Sequence, residues 1–403
     1  MANIREVLVV GAGPVGMTAA LALHNQGIRA TIIEAEPEGR ERAGSRAIYL
    51  HRETLKLLES ISSGLGFELA DIGIVWPVKK TYYRGESVYK RVYEPPAPNT
   101  IPAFSSLHQH EIEKALFKAC QAANIEFIWG EPVKDVVTSN DGVTIETEKD
   151  VWKAKYVLAA DGAHSAVRKS VGIKFEGPRT SDAFVVVDVK EDEENPLPIE
   201  RTFHYQHPDA GGRNVMYVPF AGGWRIDLQL FDEDDRAYYG SEEGVREWLP
   251  KVLDPKYTER ITWISTYTFY QVVAETYTDE NCRIILAGEA AHLFAPFGAR
   301  GLNSGVPDAI VGVKGIVSAL KADTIEEARS AIKAAANERL NAGLYNRECS
   351  NLALEHIQGT NEEIKLKREI SAFLAPHIPK LGKWLDEGPF GPRSGPPALS
   401  TKY

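Results

Sequence analysis

One short stretch near the N-terminus constrains this 403-residue chain more than any other part of it. A continuous apolar run, residues 7–10, leads into Gly11, Gly13 and Gly16, and small and apolar residues then continue to Leu23. An unbroken aliphatic run is typical of a strand that is buried on both faces of a parallel sheet. The stretch therefore predicts a strand, a tight glycine turn and a helix, the opening of a Rossmann-type unit.

Each glycine of this motif has a physical role. Gly11 permits the tight turn after the strand, Gly13 leaves room for a pyrophosphate, and Gly16 lets the helix pack closely on the strand. Phosphates are favoured at a helix N-terminus, where N–H groups are free and the helix dipole is positive. A second apolar run, residues 30–33, ends at Glu34, whose carboxylate is placed to accept hydrogen bonds from a ribose. The motif predicts a dinucleotide site.

Composition excludes several other classes of protein. The net charge is −10 and no basic stripe is present, which argues against a nucleic-acid partner. No apolar stretch is long enough to span a membrane, and the N-terminal run lacks the features of a signal peptide. Cys120, Cys282 and Cys349 are far apart and lack metal-ligand or redox spacing, so we expect reduced thiols, no metal site and a cytoplasmic protein.

Two further buried strands end in polar residues and glycines. The first, residues 156–160, ends at Asp161; the second, residues 283–287, ends at Gly288 and Glu289 and leads into a glycine-rich loop, residues 296–305. Ligands of α/β sheets bind at the carboxyl ends of strands, so we expect these ends to converge on one ligand. Helix capping remains an alternative role for Asp161 and for Ser165, which follows it.

Between these motifs the sequence changes to short strands rich in Tyr, Trp and Phe, with an Asn-Asp-Gly hairpin signal at residues 140–142. We therefore predict an α/β fold: a Rossmann-like, three-layer dinucleotide-binding domain, an inserted, mostly antiparallel β-sheet domain for the substrate, and a helical C-terminal segment with an irregular tail. The expected bounds are 1–71, 105–175 and 278–345 for the first domain, 72–104 and 176–277 for the second, and 346–403 for the C-terminal segment.

The three motifs together resemble those of the group A flavoprotein monooxygenases, the para-hydroxybenzoate hydroxylase family. The resemblance in the order of the motifs extends over about the first 345 residues. The sequence Pro-Phe-Gly-Ala-Arg-Gly at 296–301 resembles that of the branch that contains phenol and 3-(3-hydroxyphenyl)propionate hydroxylases. The resemblance implies FAD as cofactor, held by Gly11, Gly13, Pro14, Val15, Gly16, Glu34, Ala35, Arg42, Arg46, Gln109, Asp161, Gly288, Glu289, Pro296, Gly298, Gly301, Leu302 and Asn303.

The same resemblance implies a reaction. NADH or NADPH reduces the FAD, O2 adds to give a flavin C4a-hydroperoxide, and one oxygen atom passes to a small phenolic or heteroaromatic substrate. Pro296, Phe297 and Gly298 would form the wall beside the flavin ring, and the protein would act as a monomer or homodimer. Phenols react better when ionised, so a base is expected. Tyr205 and Tyr217 are candidates for this role, with ordinary sheet packing as the alternative.

Two residues depart from the family pattern. Glu289 stands where the family has Asp, and Arg300 stands where it often has Gln, which places a cation near the flavin. Other functions remain open from the sequence: a reductase or ring-opening oxygenase of the same fold, or a non-catalytic flavin-binding or ligand-binding protein. A simple NAD-dependent dehydrogenase would leave the second and third motifs unexplained.

Overall fold

The computed structural model describes residues 3–39, 47–359 and 361–392. Its strands are β1 (Asn3–Val10), β2 (Ala30–Ile33), β3 (Ala47–His51), β4 (Val78–Tyr83), β5 (Glu86–Val92), β6 (Phe104–His108), β7 (Glu126–Ile128), β8 (Val133–Ser139), β9 (Gly142–Thr147), β10 (Val151–Ala159), β11 (Phe175–Glu176), β12 (Arg179–Lys190), β13 (Glu200–His207), β14 (Arg213–Phe220), β15 (Gly223–Gln229), β16 (Ile261–Tyr270), β17 (Val272–Ala274), β18 (Ile284–Leu286) and β19 (His292–Leu293).

Its helices are α1 (Pro14–Asn25), α2 (Arg52–Ile61), α3 (Leu65–Ile72), α4 (Gln109–Ala122), α5 (Ala166–Ser170), α6 (Arg236–Tyr239), α7 (Glu242–Val252), α8 (Arg300–Leu320), α9 (Ile325–Gln358), α10 (Glu362–Leu374) and α11 (Pro379–Glu387). Short 3₁₀ turns connect several of these elements, the last of them at Gly388–Phe390.

The first large sheet contains all three predicted motif strands. Its order is β7-β2-β1-β10-β9-β8, and β18 pairs with β10. Strands β7, β2, β1, β10 and β18 run parallel, whereas the β8–β9 hairpin closes one edge in antiparallel fashion. Val7 and Val9 pack into one core cluster, with α1, α4 and α8, and Leu8 and Val10 pack into another on the opposite face. Burial on both faces explains why β1 is an unbroken apolar run.

The second large sheet has the order β16-β12-β15-β14-β13-β4-β5. It is antiparallel except where β4 runs parallel to β13, so two segments distant in sequence, 78–92 and 179–270, build one sheet. Alternate residues again separate two faces. One face packs against α7, and the other contacts Phe297 and the C-terminal helices. The mixed α/β architecture predicted from the sequence is confirmed.

Several boundaries differ from the sequence-based expectation. Helix α9 is continuous from Ile325 to Gln358, so the chain does not change structure at residue 345, where we expected one segment to end. Helix α8 begins at Arg300, inside the stretch 296–305 that we expected to be a glycine-rich loop, and the small sheet formed by β3 and β6 was not predicted. These short strands lack a strong alternating pattern, and pairing with a distant segment decides their conformation.

Buried histidines predict a loss of stability in acid. His356 is buried, its Nε2 lies 2.8 Å from the Tyr205 hydroxyl, and burial lowers its pKa to about 3. The unfolded chain binds this proton below about pH 6.5 while the folded chain does not, so stability falls as the pH drops from about 6.5 toward the folded pKa. Each pH unit is worth about 1.4 kcal/mol, so we expect His356 alone to cost about 2 kcal/mol at about pH 5.

Urea unfolding at several pH values tests this expectation. The variant His356→Gln should show a shallower loss of stability between about pH 6.5 and pH 5 than the parent chain, because glutamine does not titrate. His110→Gln is the matched control, since the side chain of His110 is 56% exposed. An unchanged pH slope in the His356 variant would contradict the assignment.

Candidate active site

The three predicted motifs meet at one edge of the first sheet. Pairing places Val10 beside Ile33 and Ala159, and Ala159 beside Leu286, so four parallel strands end at the same level. A side chain at Gly11 would overlap the Ala160 carbonyl, and its Cβ would lie 3.1 Å from the Asp161 Cα. The convergence expected from the sequence is therefore present in the fold.

The third motif packs directly on the first. A Cβ at Gly288 would lie 2.9 Å from Cγ2 of Val15, and one at Gly305 would lie 2.6 Å from the same atom. The backbone of Gly288 has φ +60°, a left-handed conformation that glycine adopts without strain. Glycine at both positions thus lets the start of α1 approach the loop after β18.

The start of α1 provides an anion-binding position. Gly13 is the N-cap residue and Pro14 the first helical residue, and no side chain caps the helix and no acidic residue lies in its first turn. Free N–H groups and the positive end of the helix dipole therefore face the strand edge. A Cβ at Gly16 would overlap the Gly11 carbonyl, so the turn has room for this helix only with glycine there. These features fit the diphosphate of a dinucleotide.

Glu34 closes the same turn from the second strand. It is 5% exposed; its Oε2 accepts a hydrogen bond from the Ala12 N–H at 2.6 Å, and its Oε1 accepts one from the Glu36 N–H at 3.1 Å. Carboxylate oxygens accept hydrogen bonds from hydroxyl groups as well as from N–H groups, so Glu34 has the acceptor chemistry that a ribose requires. Ala35, next to it, is exposed at the sheet edge.

Asp161 caps the short helix α5. Its Oδ1 accepts a hydrogen bond from the Ser165 hydroxyl at 2.6 Å and its Oδ2 accepts one from the Val167 N–H at 3.1 Å, while Ser165 Oγ accepts from the Arg168 N–H at 2.9 Å. Burial raises the pKa of Asp161, and these hydrogen bonds oppose that shift. Capping, the alternative role left open by the sequence, is thus what both side chains do in the structure.

The glycine-rich segment 296–305 lies between the two large sheets; it is a loop up to Ala299 and forms the start of α8 from Arg300 onward. Phe297 is buried and its ring packs against Phe184 at 5.2 Å and Phe269 at 5.5 Å, both on the second sheet. Pro296 and Gly301 are exposed, and a Cβ built on Gly301 would meet no other part of the described chain within 4 Å beyond its own neighbours in α8. Phe297 therefore anchors the loop, while Pro296 and the backbone at Gly301 border open space.

Asn303 connects this loop to the first domain. Its Oδ1 accepts hydrogen bonds from the His51 N–H at 2.9 Å and the Thr54 hydroxyl at 2.6 Å, and its Nδ2 donates to the carbonyls of Tyr49 and Ala299, both at 2.7 Å. One amide side chain thus joins the first turn of α8 to β3 and α2. The sequence singled out Asn303 as a cofactor contact, and the structure shows it as a hydrogen-bonding link.

Replacing Asn303 with alanine is expected to lower the free energy of unfolding by about 2–3 kcal/mol, because four hydrogen bonds are lost together. Thr54→Val is the matched control, which removes only one of them and should cost about 1 kcal/mol. Chemical denaturation of the two variants measures both values. Equal losses would contradict the central role of the amide.

A buried charged network lies beneath the third motif. Asp308 Oδ2 accepts a hydrogen bond from the Gly288 N–H at 3.1 Å and lies 2.8 Å from His292 Nε2, and Oδ1 accepts from Arg339 Nε at 2.7 Å. Asp308, His292 and Arg339 are each at most 1% exposed. Despite its burial, the pKa of Asp308 is lowered, because the nearby Arg339 and His292 favour its ionised form. His292 is therefore a structural residue held by Asp308.

The remaining predicted cofactor residues have varied positions. Gln109 is the first residue of α4, and its side-chain amide donates a hydrogen bond to Glu113 Oε1 at 2.7 Å. Glu289 is exposed at the sheet edge. Leu302 packs beside the first core cluster. Arg42 and Arg46 lie outside the described residues. Their predicted contacts with FAD or the nicotinamide cofactor stay predictions.

Arg300 lies beside the C-terminal segment. It donates to Asn346 Oδ1 at 2.8 Å and to the backbone carbonyls of Phe390 at 3.0 Å and Pro392 at 2.6 Å. Burial lowers its pKa. These bonds direct its guanidinium to the C-terminal segment.

The two tyrosines proposed as bases lie on opposite faces of the second sheet. The Tyr205 hydroxyl donates to the Leu385 carbonyl at 2.7 Å, and Tyr217 faces α7, where its hydroxyl donates to the Val252 carbonyl at 2.7 Å. Burial raises the pKa of both hydroxyls above the ordinary value of tyrosine. We therefore correct this hypothesis: both hydroxyls are engaged in packing, and Tyr217 does not share a face with Phe297.

Two buried charged groups were not predicted from the sequence: Asp308 with Arg339, and a cluster that joins Lys79 and Arg201 to Asp386. Residues that meet across 307 positions, as Lys79 and Asp386 do, leave no local pattern. One signal was available for Arg201, because it alternates with Phe203 and Tyr205 in β13 and so had to share their buried face.

Among the described residues, no helix combines the length and the apolar character needed to cross a membrane. No group of three or more His, Cys, Asp or Glu side chains in that part of the chain is arranged to hold a metal ion.

Comparison with known proteins identifies the family to which the chain belongs. Residues 5–342 match the family described as "FAD binding domain". Among curated proteins, the chain is 27% identical over 332 residues to para-nitrophenol 4-monooxygenase from Pseudomonas sp. (strain WBC-3), with 80% of each chain covered. It is 28% identical over 318 residues to 3-(3-hydroxy-phenyl)propionate/3-hydroxycinnamic acid hydroxylase from Mycolicibacterium smegmatis, covering 75% of this chain and 53% of that one. The chain thus spans about half the length of the latter relative.

Solved structures show the same fold. The crystal structure of p-nitrophenol 4-monooxygenase PnpA from Pseudomonas putida DLL-E4 superposes with a TM-score of 0.79 at 24% identity, covering 98% of this chain and 100% of that one. The flavin-dependent monooxygenase PieE, solved with FAD and substrate, superposes with a TM-score of 0.76 at 19% identity, covering 96% of this chain and 72% of that one.

Proposed function

Because this chain belongs to the FAD-binding-domain family of group A flavoprotein monooxygenases, we propose that it is an FAD-dependent enzyme that hydroxylates a small aromatic substrate with NAD(P)H and O2. The observation that carries the proposal is the meeting of three strand ends, at Gly11, Asp161 and Gly288, beside a loop that reaches the second sheet. A long dinucleotide needs such an extended edge, and a substrate would bind where the loop meets the second sheet.

We propose specific roles for the residues at this edge. The N-terminus of α1 would bind the diphosphate, Glu34 the ribose, and the backbone of residues 298–303 the flavin ring. FAD, when bound, supplies the redox and oxygen chemistry. The protein would orient the aromatic ring and exclude water, with Pro296 and Gly298 as the wall and Phe297 as the residue that anchors the wall to the second sheet.

The relatives support a phenolic substrate. Their names describe enzymes acting on para-nitrophenol and on hydroxyphenylpropionate, both of which are single aromatic rings with a hydroxyl group. We propose a substrate of this size for the present chain. We also propose that it works in the cytoplasm as a monomer or homodimer, with its three buried cysteines kept as thiols.

A substrate screen tests the function. The purified flavoprotein is mixed with NADH or NADPH and with single-ring phenols and N-heteroaromatic acids, and both coenzyme oxidation and product mass are recorded. We expect at least one compound to accelerate NAD(P)H oxidation and to gain one oxygen atom, derived from labelled O2. Oxidation that no compound accelerates, with no oxygenated product, would overturn the proposal and favour a non-catalytic flavin protein. Coenzyme oxidation accelerated by a compound that is converted without gaining an oxygen atom would indicate a reductase.

A further inference from the structure

The 296–299 loop, which precedes α8, has a strained backbone. Gly298 has φ +79° and Ala299 has φ +54°, so two consecutive residues lie in the left-handed region. Glycine adopts this conformation freely, whereas the Cβ of alanine makes it unfavourable. A residue other than glycine stays in this region only where its surroundings hold it there. Ala299 therefore depends on contacts that fix its backbone.

Hydrogen bonds near the loop fix part of it. The Ala299 N–H donates to the Pro296 carbonyl at 2.9 Å, within the loop itself. The Ala299 carbonyl accepts a hydrogen bond from Asn303 Nδ2 at 2.7 Å, and Asn303 is in turn bonded to β3. These bonds attach the loop to the first domain. A second attachment is made by the next residue, Arg300.

Arg300 attaches the loop to the C-terminal turn, residues 388–392. Its guanidinium donates to the carbonyls of Phe390 at 3.0 Å and Pro392 at 2.6 Å, and to Asn346 Oδ1 of α9 at 2.8 Å. Hydrogen bonds from a guanidinium are charge-assisted, and its donors have a fixed planar geometry. Three acceptors on two separate elements therefore restrict this side chain strongly.

The C-terminal turn is itself packed tightly on α9. A Cβ on Gly391 would overlap the Cys349 carbonyl, and a Cβ on Gly388 would overlap the ring of His356. Gly391 has φ +66° and ψ −175°, a conformation that is essentially restricted to glycine. The close fit against α9 lets the turn resist movement of the loop that is bonded to it.

The turn also contacts the loop directly and reaches the second sheet. A Cβ on Gly298 would lie 2.6 Å from the Phe390 carbonyl. The Phe390 ring lies 4.0 Å from Lys79 Nζ and 4.4 Å from the Arg201 guanidinium carbon, and both cations belong to the second sheet. The turn is therefore held between the second sheet, α9 and the loop.

We propose that the C-terminal turn acts through Arg300 as a brace that holds the 296–299 loop in its left-handed conformation, which makes Arg300 a positioning residue for the flavin ring. The inference rests on the proposed function, since that function places FAD beside this loop. Without the brace, Ala299 relaxes away from the left-handed region, because its Cβ is unfavourable there. The loop then presents a different backbone to the ring, while the diphosphate end of the site at α1 is unchanged.

Calorimetric titration of the flavin-free chain with FAD and, separately, with ADP tests this inference. ADP carries the diphosphate and adenosine of FAD but not the flavin ring, so it reports on the α1 end alone. Arg300→Gln should weaken FAD binding by about 5- to 20-fold and change ADP affinity by less than about twofold. If this variant does not fold, Arg300→Lys keeps the charge and loses the planar donor set, and a smaller loss of FAD affinity is expected.

Gly391→Ala breaks the brace from its other side, because the added methyl group pushes the turn away from the Cys349 carbonyl without altering Arg300. It should weaken FAD binding and leave ADP binding unchanged. The two substitutions disrupt one connection, so their effects should not add. The double variant with Arg300→Gln should bind FAD about as well as the weaker-binding single variant.

Ala299→Gly distinguishes positioning from a general loss of structure. Glycine occupies the left-handed region without strain, so in the Arg300→Gln background it should recover FAD affinity by about two- to fivefold. Arg347→Gln is the matched control, because Arg347 follows Asn346 in α9 but donates to the Glu176 carbonyl at 3.1 Å instead of the C-terminal turn. It should leave both affinities unchanged.

Unchanged FAD affinity in a folded Arg300→Gln variant would overturn the inference, as would an equal loss of FAD and ADP affinity or a failure of Ala299→Gly to recover FAD binding. Hydroxylation of a phenol by the parent chain would then still support the proposed function. Conversely, Arg300-dependent FAD binding by a chain that oxygenates nothing would retain the inference and reject the proposed function. A parent chain that binds no FAD would reject both.

Discussion

Replacing Asp308 with alanine is expected to destabilise the folded chain by about 3–5 kcal/mol, the largest effect of any single substitution considered. The substitution leaves the guanidinium of Arg339 buried without its carboxylate, at 0% exposure, and removes the acceptors of His292 and of the Gly288 N–H. Because Gly288 begins the third motif, flavin affinity should fall along with stability. Urea unfolding and FAD titration measure the two effects.

Substituting both Asp308 and Arg339 distinguishes the effect of an unpaired buried charge from the effect of lost packing. Apolar replacement of a whole buried ion pair is often near neutral, whereas removal of one partner is strongly destabilising. Asp308→Leu combined with Arg339→Met should therefore recover much of the stability lost in Asp308→Leu alone. It should not recover flavin affinity, since the Gly288 N–H still lacks its acceptor. A double variant as unstable as the single one would contradict this account.

Gly16→Ala is expected to yield a chain that purifies without flavin and is less stable by about 1–3 kcal/mol. The added methyl group would overlap the Gly11 carbonyl and lie 3.4 Å from Cγ1 of Val9, so α1 must move away from β1. The N–H groups at the start of α1 would then no longer face the diphosphate. The flavin absorbance of the purified variant, relative to protein, reports this loss.

Gly27→Ala is the matched control at the other end of the same helix. Gly27 has φ +74°, but apart from its chain neighbours no described residue lies within 4 Å of its Cβ position. The alanine should cost about 1–2 kcal/mol of backbone strain and leave the flavin content unchanged. Loss of flavin in this variant, or its retention in Gly16→Ala, would contradict the assigned role of Gly16.

The strand ends were predictable because each is encoded by neighbouring residues. Gly11 follows directly after β1, and Asp161 and Gly162 follow shortly after β10. In both cases a buried aliphatic run leads into a residue that the turn requires. Parallel pairing then brings these ends to one level without further information. The strand ends could be predicted because residues that are adjacent in sequence determine where each strand stops.

The substrate side was not predictable to the same degree. Tyr205 and Tyr217 are both aromatic residues on strands, and only the pairing of β13 with β14 shows that they face opposite sides. Arg201 lies beside Lys79 and the ring of Phe390, and both residues are more than one hundred positions away from it in sequence. Contacts of this kind depend on tertiary packing, which a single sequence does not specify.

Titration of the flavin-free chain with FAD tests the central claim most directly, because every proposed role depends on one FAD lying across the ends of β1, β10 and β18. The account predicts saturable binding of one FAD per chain, with a change in flavin absorbance, and a much weaker affinity in Gly16→Ala than in Gly27→Ala. A correctly folded chain that binds no FAD, or that binds it equally well in both variants, would contradict the account.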